Sequence, residues 1–297
     1  MTGAMTLFGS SLFFIYGLPK MGAGSAAALR WPRPLLLTSA ATVLIACILG
    51  FLSQTLVLAG SVQGAFQLDA LNAAATGMNF GKSSVVRAAV ALLFLAAFSF
   101  TRPGRAGSSL AAIVGGVLCA TFAWMGHGAA TPGAIGVLHT ASDIVHTLAA
   151  AVWVGALVVF LIILVTDGRQ PEEARRSLYS ALDGFSGIGS ALVAVLIGSG
   201  LVNSWFVVGL AALPGLWTTP YGQLLSLKLA LFLGMLGLAA ANRFRLTPAL
   251  GHALDDRSPP LSAIAALRSS LVWETGLSIA VVALVAWFGT LAPPSVG

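Results

Sequence analysis

The sequence is poor in charged residues. Asp, Glu, Lys and Arg make up only 8% of its 297 residues, against about 25% in soluble domains. Hydrophobic residues make up 58%, and the mean hydropathy is +0.94. So few charges cannot cover a water-exposed surface. The composition therefore predicts an all-α polytopic membrane protein, with residues 1–297 forming a single integral-membrane helical domain.

Several other absences exclude classes of function. The two cysteines, Cys47 and Cys119, lie within apolar runs, which excludes a disulfide framework. The chain lacks the phosphate-binding pattern G-x-x-x-x-G-K-[ST] and the nucleophile pattern G-x-S-x-G, so we expect neither a nucleotide-driven pump nor an enzyme. The first 19 residues contain no Lys or Arg, so no signal peptide is expected. We attribute the net charge of +6 to arginines at the membrane surface and expect no nucleic-acid partner.

Apolar segments bounded by Pro, Gly or charge predict a bundle of about eight transmembrane helices. About 20 apolar residues are needed to span the lipid bilayer, and the first segment is short by that measure. The connection 60–82 is expected to hold a short surface helix or a lid, and the connection 243–267 a solvated loop. The predicted segments are 3–18, 34–59, 83–101, 107–126, 136–165, 179–210, 221–242 and 268–291.

The distribution of basic residues predicts the orientation. Twelve of the 15 Lys and Arg residues fall in alternate connections, and the opposite connections 127–135 and 211–220 carry no charge. Because cytoplasmic loops are enriched in Lys and Arg, both termini are predicted to be periplasmic. His127 and His139 would then open toward the outer side.

A cluster of potential ligands lies at this predicted outer surface. Three of the four histidines are His127, His139 and His146, and Asp143 lies between the last two. Residues 139, 143 and 146 have the spacing i, i+4, i+7, so a helix presents them on one face. Imidazole and carboxylate groups suit Cu(II) or Zn(II), and the thioether of nearby Met125 would suit Cu(I). Asp143 could instead orient a ligating histidine. The pattern predicts a metal or ligand site.

Four further residues form a possible pathway or its support. Asn203 lies in the predicted outer half. Lys228 would lie about two turns deep and either extend to the surface or pair with Asp143. Trp153 shares a helix face with His146 and is interpreted as a packing wall beneath the site. Glu274 lies about 9 Å inward of Arg268 along a helix; an ion pair with an arginine is favoured over a proton or exit step.

Several strings of the sequence resemble the copper resistance protein D family of bacterial inner-membrane proteins. They are GH at 126–127, HTLAAAVWVGAL at 146–157, TPYGQLLSLKLAL at 219–231, ANRFRLTP at 241–248 and GTLAPP at 289–294, and the likeness extends back to FGSSLFFIYGLP at 8–19. The resemblance implies eight helices that pass a copper ion, Cu(I) or Cu(II), from periplasm to cytoplasm. It also implies a small periplasmic copper-binding protein as partner. By motif match, His127 and His146 are copper-pathway residues, and Trp153 and Lys228 are family motif positions.

Two other functions fit the same residues. Histidines on facing helices can ligate the iron of a b-type haem, so a haem or quinone redox protein is one alternative. The other is a receptor that binds the periplasmic copper carrier without transporting metal. The sequence does not specify the oligomeric state.

Overall fold

The computed structural model describes residues 1–17, 32–101, 104–125, 133–166, 172–209, 213, 215–256, 260–289 and 291. Every regular element in these ranges is helical, as predicted. In chain order they are α1 (Thr2–Tyr16), α2 (Pro32–Ala59), α3 (Val62–Ala65), α4 (Leu68–Gly77), α5 (Asn79–Ser99), α6 (Arg105–Ala120, followed by a 3₁₀ turn, Thr121–Met125), α7 (Gly133–Thr166), α8 (Glu172–Val207), α9 (Gly215–Thr218), α10 (Pro220–Ala241, followed by a π-helical segment, Asn242–Leu246), α11 (Thr247–Asp255) and α12 (Leu261–Phe288).

In the described ranges, seven stretches are long and apolar enough to cross a membrane. They correspond to the second to eighth predicted segments, which confirms the polytopic all-α class. The remaining segment, α1, has 15 residues and is about 22 Å long. That is shorter than the hydrocarbon core of about 30 Å, in agreement with the short first segment predicted from the sequence.

Helix α7 is at the centre of the bundle. Of its apolar window, 61% is buried inside the protein, the largest share among the seven spans. It packs against α1, α8 and α12. Its contact with α1 requires glycine, because a Cβ atom on Gly155 would lie 2.3 Å from the carbonyl carbon of Gly9. Small residues at such crossings let membrane helices approach closely. The face of α7 that meets α8 carries the candidate site.

The predicted loop at 243–267 is wrong over most of its length, since the chain is helical up to Asp255 and α12 begins at Leu261. Helix α10 continues through the π-helical segment into α11, which ends at Asp255. Proline in a helix removes one backbone hydrogen bond and clashes with the carbonyl four residues earlier. A π segment directly before Pro248 shifts the hydrogen-bond register and lets the helix continue. Arg243, Arg245 and Asp255 therefore lie on helical segments and not in a loop.

The connection 60–82 contains helices α3 and α4, so the predicted short helix is present. Ser61 caps α3, since its Oγ accepts a hydrogen bond of 3.1 Å from the backbone N–H of Gly64. On the opposite side, Arg33 donates a hydrogen bond of 3.0 Å to the carbonyl of Thr101 just after α5. A cation is favourable at a helix C-terminus.

Cys47 and Cys119 are buried free thiols.

Candidate functional site

Three polar side chains of α7 form one row against α8. The His139 ring stacks on Phe206, with ring centroids 4.6 Å apart and an interplanar angle of 21°. Asp143 Oδ1 accepts a hydrogen bond of 2.8 Å from Asn203 Nδ2. His146 Nδ1 lies 2.9 Å from Ser199 Oγ. The partners on α8 are met in reverse order along the chain because the two helices are antiparallel. The common face predicted from the spacing is therefore present.

Ser199 fixes the tautomer of His146. Its hydroxyl donates its one hydrogen to the carbonyl of Val195 at 2.6 Å, so Oγ meets His146 as an acceptor. Nδ1 of His146 must then carry the hydrogen, and in the neutral ring Nε2 carries a lone pair. Metal-binding histidines use the same arrangement, in which one ring nitrogen donates to a neighbouring oxygen and the other binds the ion.

The His146 ring lies close to the α8 backbone. A Cβ atom placed on Gly200 would be 3.5 Å from His146 Cε1, an ordinary van der Waals distance. His146 is part-buried and about 20 Å along α7 from Gly133. It therefore lies inside the membrane span and not at its edge.

Asp143 lies in a charged environment formed by three helices. Lys228 of α10 is close enough to interact electrostatically with both Asp143 and His146, which supports the predicted pairing with Asp143. The amide N–H of Asn203 donates to the Asp143 carboxylate. The Oδ1 atom of Asn203 is buried with no hydrogen-bond partner in the described part of the chain. The cluster thus contains an anion, a cation and an uncommitted oxygen acceptor.

Met125 contacts an arginine in the structure, whereas the sequence predicts it as a copper ligand. Its sulfur lies 2.6 Å from Arg87 Nη2, and the Arg87 guanidinium lies 4.4 Å from the centroid of the Phe122 ring. Arg87 is 4% exposed. A thioether that faces a guanidinium is poorly placed to bind a second cation, because the two positive charges repel each other.

The predicted ligands do not form a closed metal site within the described ranges. No group of three or more His, Cys, Asp or Glu side chains there is close enough to hold an ion. His127 falls outside the described residues. Of the predicted set, the structure brings His139, Asp143 and His146 to one face, where each meets its own partner on α8.

A second polar cluster lies further along the same face of α7. Trp153 Nε1 donates a hydrogen bond of 2.8 Å to Glu274 Oε1, and Asn242 Nδ2 donates one of 2.9 Å to Glu274 Oε2. The predicted ion pair between Glu274 and an arginine is not present among the described residues. Trp153 is buried, as a packing residue would be, but it also orients a carboxylate.

Sequence analysis misses the partners of these residues. Ser199 escapes notice because one serine among the small residues of a membrane helix gives no signal by itself. Asn242 lies in the π-helical segment and is the last residue of the predicted membrane segment 221–242, where nothing in the sequence indicates a contact with Glu274. Both roles depend on which helices are neighbours, and a single sequence does not specify that.

Two family descriptions match the chain and together cover most of it. "Copper resistance protein D-like, N-terminal domain" matches residues 1–137, and "Copper resistance protein D" matches residues 179–288. No solved structure matches the chain.

Three curated proteins are similar in sequence. Copper resistance protein D of Pseudomonas syringae pv. tomato is 37% identical over an alignment of 297 positions, which covers 98% of this chain and 94% of that protein. Inner membrane protein YebZ of Escherichia coli (strain K12) is 31% identical over 55% of this chain and 51% of its own length. Copper transport protein CutJ of Bacillus subtilis (strain 168) is 33% identical over 35% of this chain and 18% of its own length.

Proposed function

Because the chain belongs to the copper resistance protein D family, we propose that it carries copper across the bacterial inner membrane, from the periplasm to the cytoplasm. It is a multi-pass inner-membrane protein. The name of the Bacillus relative, a copper transport protein, supports transport in particular. A small periplasmic copper-binding protein would deliver the ion to the outer ends of α6 and α7.

The observation that carries this proposal is the hydrogen bond between His146 and Ser199. It leaves the lone pair on Nε2, the form in which imidazole binds a metal. A histidine this far inside a membrane helix is costly unless it has a function. We propose that His146 is the ligand through which copper passes on its way inward.

His127, His139 and Asp143 would receive the ion before it reaches His146. Their nitrogen and oxygen donors suit Cu(II). Met125 would favour Cu(I), but its sulfur must first leave Arg87. Lys228 would compensate the charge of Asp143 while copper is absent and withdraw when the ion arrives, because the two cations repel each other.

The haem alternative fits the described helices poorly. It needs axial histidines on facing helices, and the described helices that pack against α7, namely α1, α6, α8 and α12, carry no histidine. A receptor that only binds the periplasmic carrier would use outer residues and would give the buried His146 no role. Transport is the function that uses the whole row.

The test is the copper content of the purified protein. Wild type, His146→Ala and His252→Ala are each loaded with Cu(I) or Cu(II), washed exhaustively and analysed by elemental mass spectrometry. His252 is exposed on α11 and provides a matched histidine control. We expect about one copper per chain in wild type and in His252→Ala, and a loss of most of it in His146→Ala. Equal copper in all three proteins would exclude His146 as a ligand.

A further inference from the structure

Glu274 is a carboxylate in an unusual position. It lies in the middle of α12 and is 2% exposed. Both of its oxygens accept hydrogen bonds, from Trp153 on α7 and from Asn242 at the π-helical segment. Ionisable groups inside membrane spans are rare and are functional by default. The π-helical segment supports this view, since such segments are frequent at functional sites.

No described cation neutralises Glu274. On the segments that pack against α12, Arg243 donates to the carbonyl of Ser186 at 3.3 Å and also to Ser190 Oγ, both on α8. Arg245 is exposed on the π-helical segment, His252 and Asp255 are exposed on α11, Asp256 is exposed just after it, and Arg268 is exposed on α12 itself. The titratable groups of α7 and α10 lie further outward: His139, Asp143 and His146 on α7, and Tyr221 and Lys228 on α10. The donors that meet Glu274 are therefore neutral, and a buried carboxylate in such surroundings loses its charge by binding a proton.

Two polar atoms beside Glu274 have unused hydrogen-bonding capacity. Ser270, one turn closer to the predicted cytoplasmic side, is 7% exposed. Its Oγ has no hydrogen-bond partner among the described residues, and the same holds for Asn242 Oδ1. Buried polar atoms of this kind bind water. Ser270 and Asn242 thus provide hydrogen-bonding groups through which a proton can leave Glu274 toward the cytoplasm.

Helix α7 links Glu274 to the row formed by His139, Asp143 and His146. His146 and Trp153 are seven residues apart and share one helix face, about 10 Å apart along the axis. A copper ion at His146 adds positive charge above Glu274 and favours the ionised carboxylate. Since Trp153 and Asn242 donate hydrogen bonds to both oxygens, the carboxylate is already solvated when it forms.

We propose that Glu274 couples copper transport to proton movement in the same direction. When a copper ion occupies His146, the O–H bond of the Glu274 carboxylic acid breaks, and the proton leaves through Ser270 to the cytoplasmic side. The carboxylate balances one positive charge of the ion, and nothing is oxidised or reduced. After the ion has left, Glu274 takes a proton from the periplasmic side through the empty row. This inference rests on the proposed transport of copper.

The test uses the full-length protein in proteoliposomes that contain a trapped pH-sensitive dye. The membrane potential is clamped with valinomycin and potassium, so that copper uptake does not itself drive protons. Cu(I) is added outside, and both internal copper and internal pH are recorded. We expect wild type to acidify the lumen as copper enters. Glu274→Gln should abolish the protons moved per copper, because the amide accepts hydrogen bonds but does not carry a proton.

Three further variants keep the inference falsifiable. Asp183→Asn alters an exposed carboxylate on α8 and should behave as wild type. Glu274→Asp should restore part of the proton signal. Ser270→Ala leaves Glu274 in place, so it reports on the proton path even if Glu274→Gln fails to fold, and we expect it to slow acidification while copper binding persists.

The outcomes separate the two proposals. Copper uptake by wild type at constant internal pH would overturn the coupling and leave copper transport standing. Normal acidification by Glu274→Gln, or by Ser270→Ala, would also overturn it. Absence of copper uptake by wild type would overturn the proposed function itself.

Discussion

The outer and inner polar clusters on α7 differ in the kind of charge that they can accept. The outer cluster combines His146, Asp143 and Lys228, so it contains nitrogen and oxygen donors and a lysine that interacts electrostatically with the carboxylate. The inner cluster has one carboxylate, Glu274, held by two neutral N–H donors. The first suits a metal ion and the second suits a proton. Under the two proposals, one helix face would carry two sites with different cargo.

The inner cluster is expected to matter more for stability than the outer one. Trp153 is 4% exposed, and its replacement by Ala leaves a cavity and removes a donor from the buried Glu274. We expect Trp153→Ala to lower the free energy of unfolding by about 3–5 kcal/mol. Reversible unfolding in mixed micelles, followed by circular dichroism, measures it.

A tryptophan control shows whether this cost comes from burial. Trp124 is 51% exposed, and Trp124→Ala should change the unfolding free energy by less than about 1 kcal/mol. Similar losses for both variants would mean that the inner cluster is not a special anchor of the fold.

The outer cluster is expected to depend on the orientation of His146. Ser199→Ala removes the acceptor that fixes the ring, so copper affinity should fall by about 10- to 100-fold. Ser199→Thr keeps the hydroxyl and should restore most of the affinity. Competition with a copper chelator of known affinity measures the change in the purified protein.

The Ser199→Ala variant also tests whether the two clusters act independently. Ser199→Ala should leave the number of protons moved per copper unchanged, because Glu274 keeps both donors. Ser190→Ala, on the same helix but beside Arg243, provides the control and should bind copper as wild type does. A loss of proton coupling in Ser199→Ala would show that the two clusters act as one site.

The sequence predicts the row on α7 because helical periodicity alone places residues 139, 143 and 146 on one face. It does not predict that Ser199 and Asn203 meet this row, because the register between two helices depends on packing along their whole length. The predicted arginine partner of Glu274 is wrong for a related reason. Proximity along α12 suggests Arg268, but the donors come from α7 and from the π-helical segment, which are distant in sequence.

The continuation of α10 past residue 242 is the main feature of the fold that sequence patterns hide. Pro248 and the nearby charges are typical of a loop, and a π segment that accommodates the proline leaves no simple sequence signal. Met125 illustrates the same limit at the outer side. Its sulfur is a credible copper ligand by residue type, yet the guanidinium of Arg87 occupies the space beside it.

Copper uptake into proteoliposomes tests the central claim most directly. Wild type, His146→Ala and His252→Ala are reconstituted at equal amounts, and internal copper is measured over time after addition of Cu(I) or Cu(II). The account predicts time-dependent uptake by wild type and His252→Ala, and uptake at the level of empty liposomes for His146→Ala. Uptake by His146→Ala at the wild-type rate would contradict a copper path along α7.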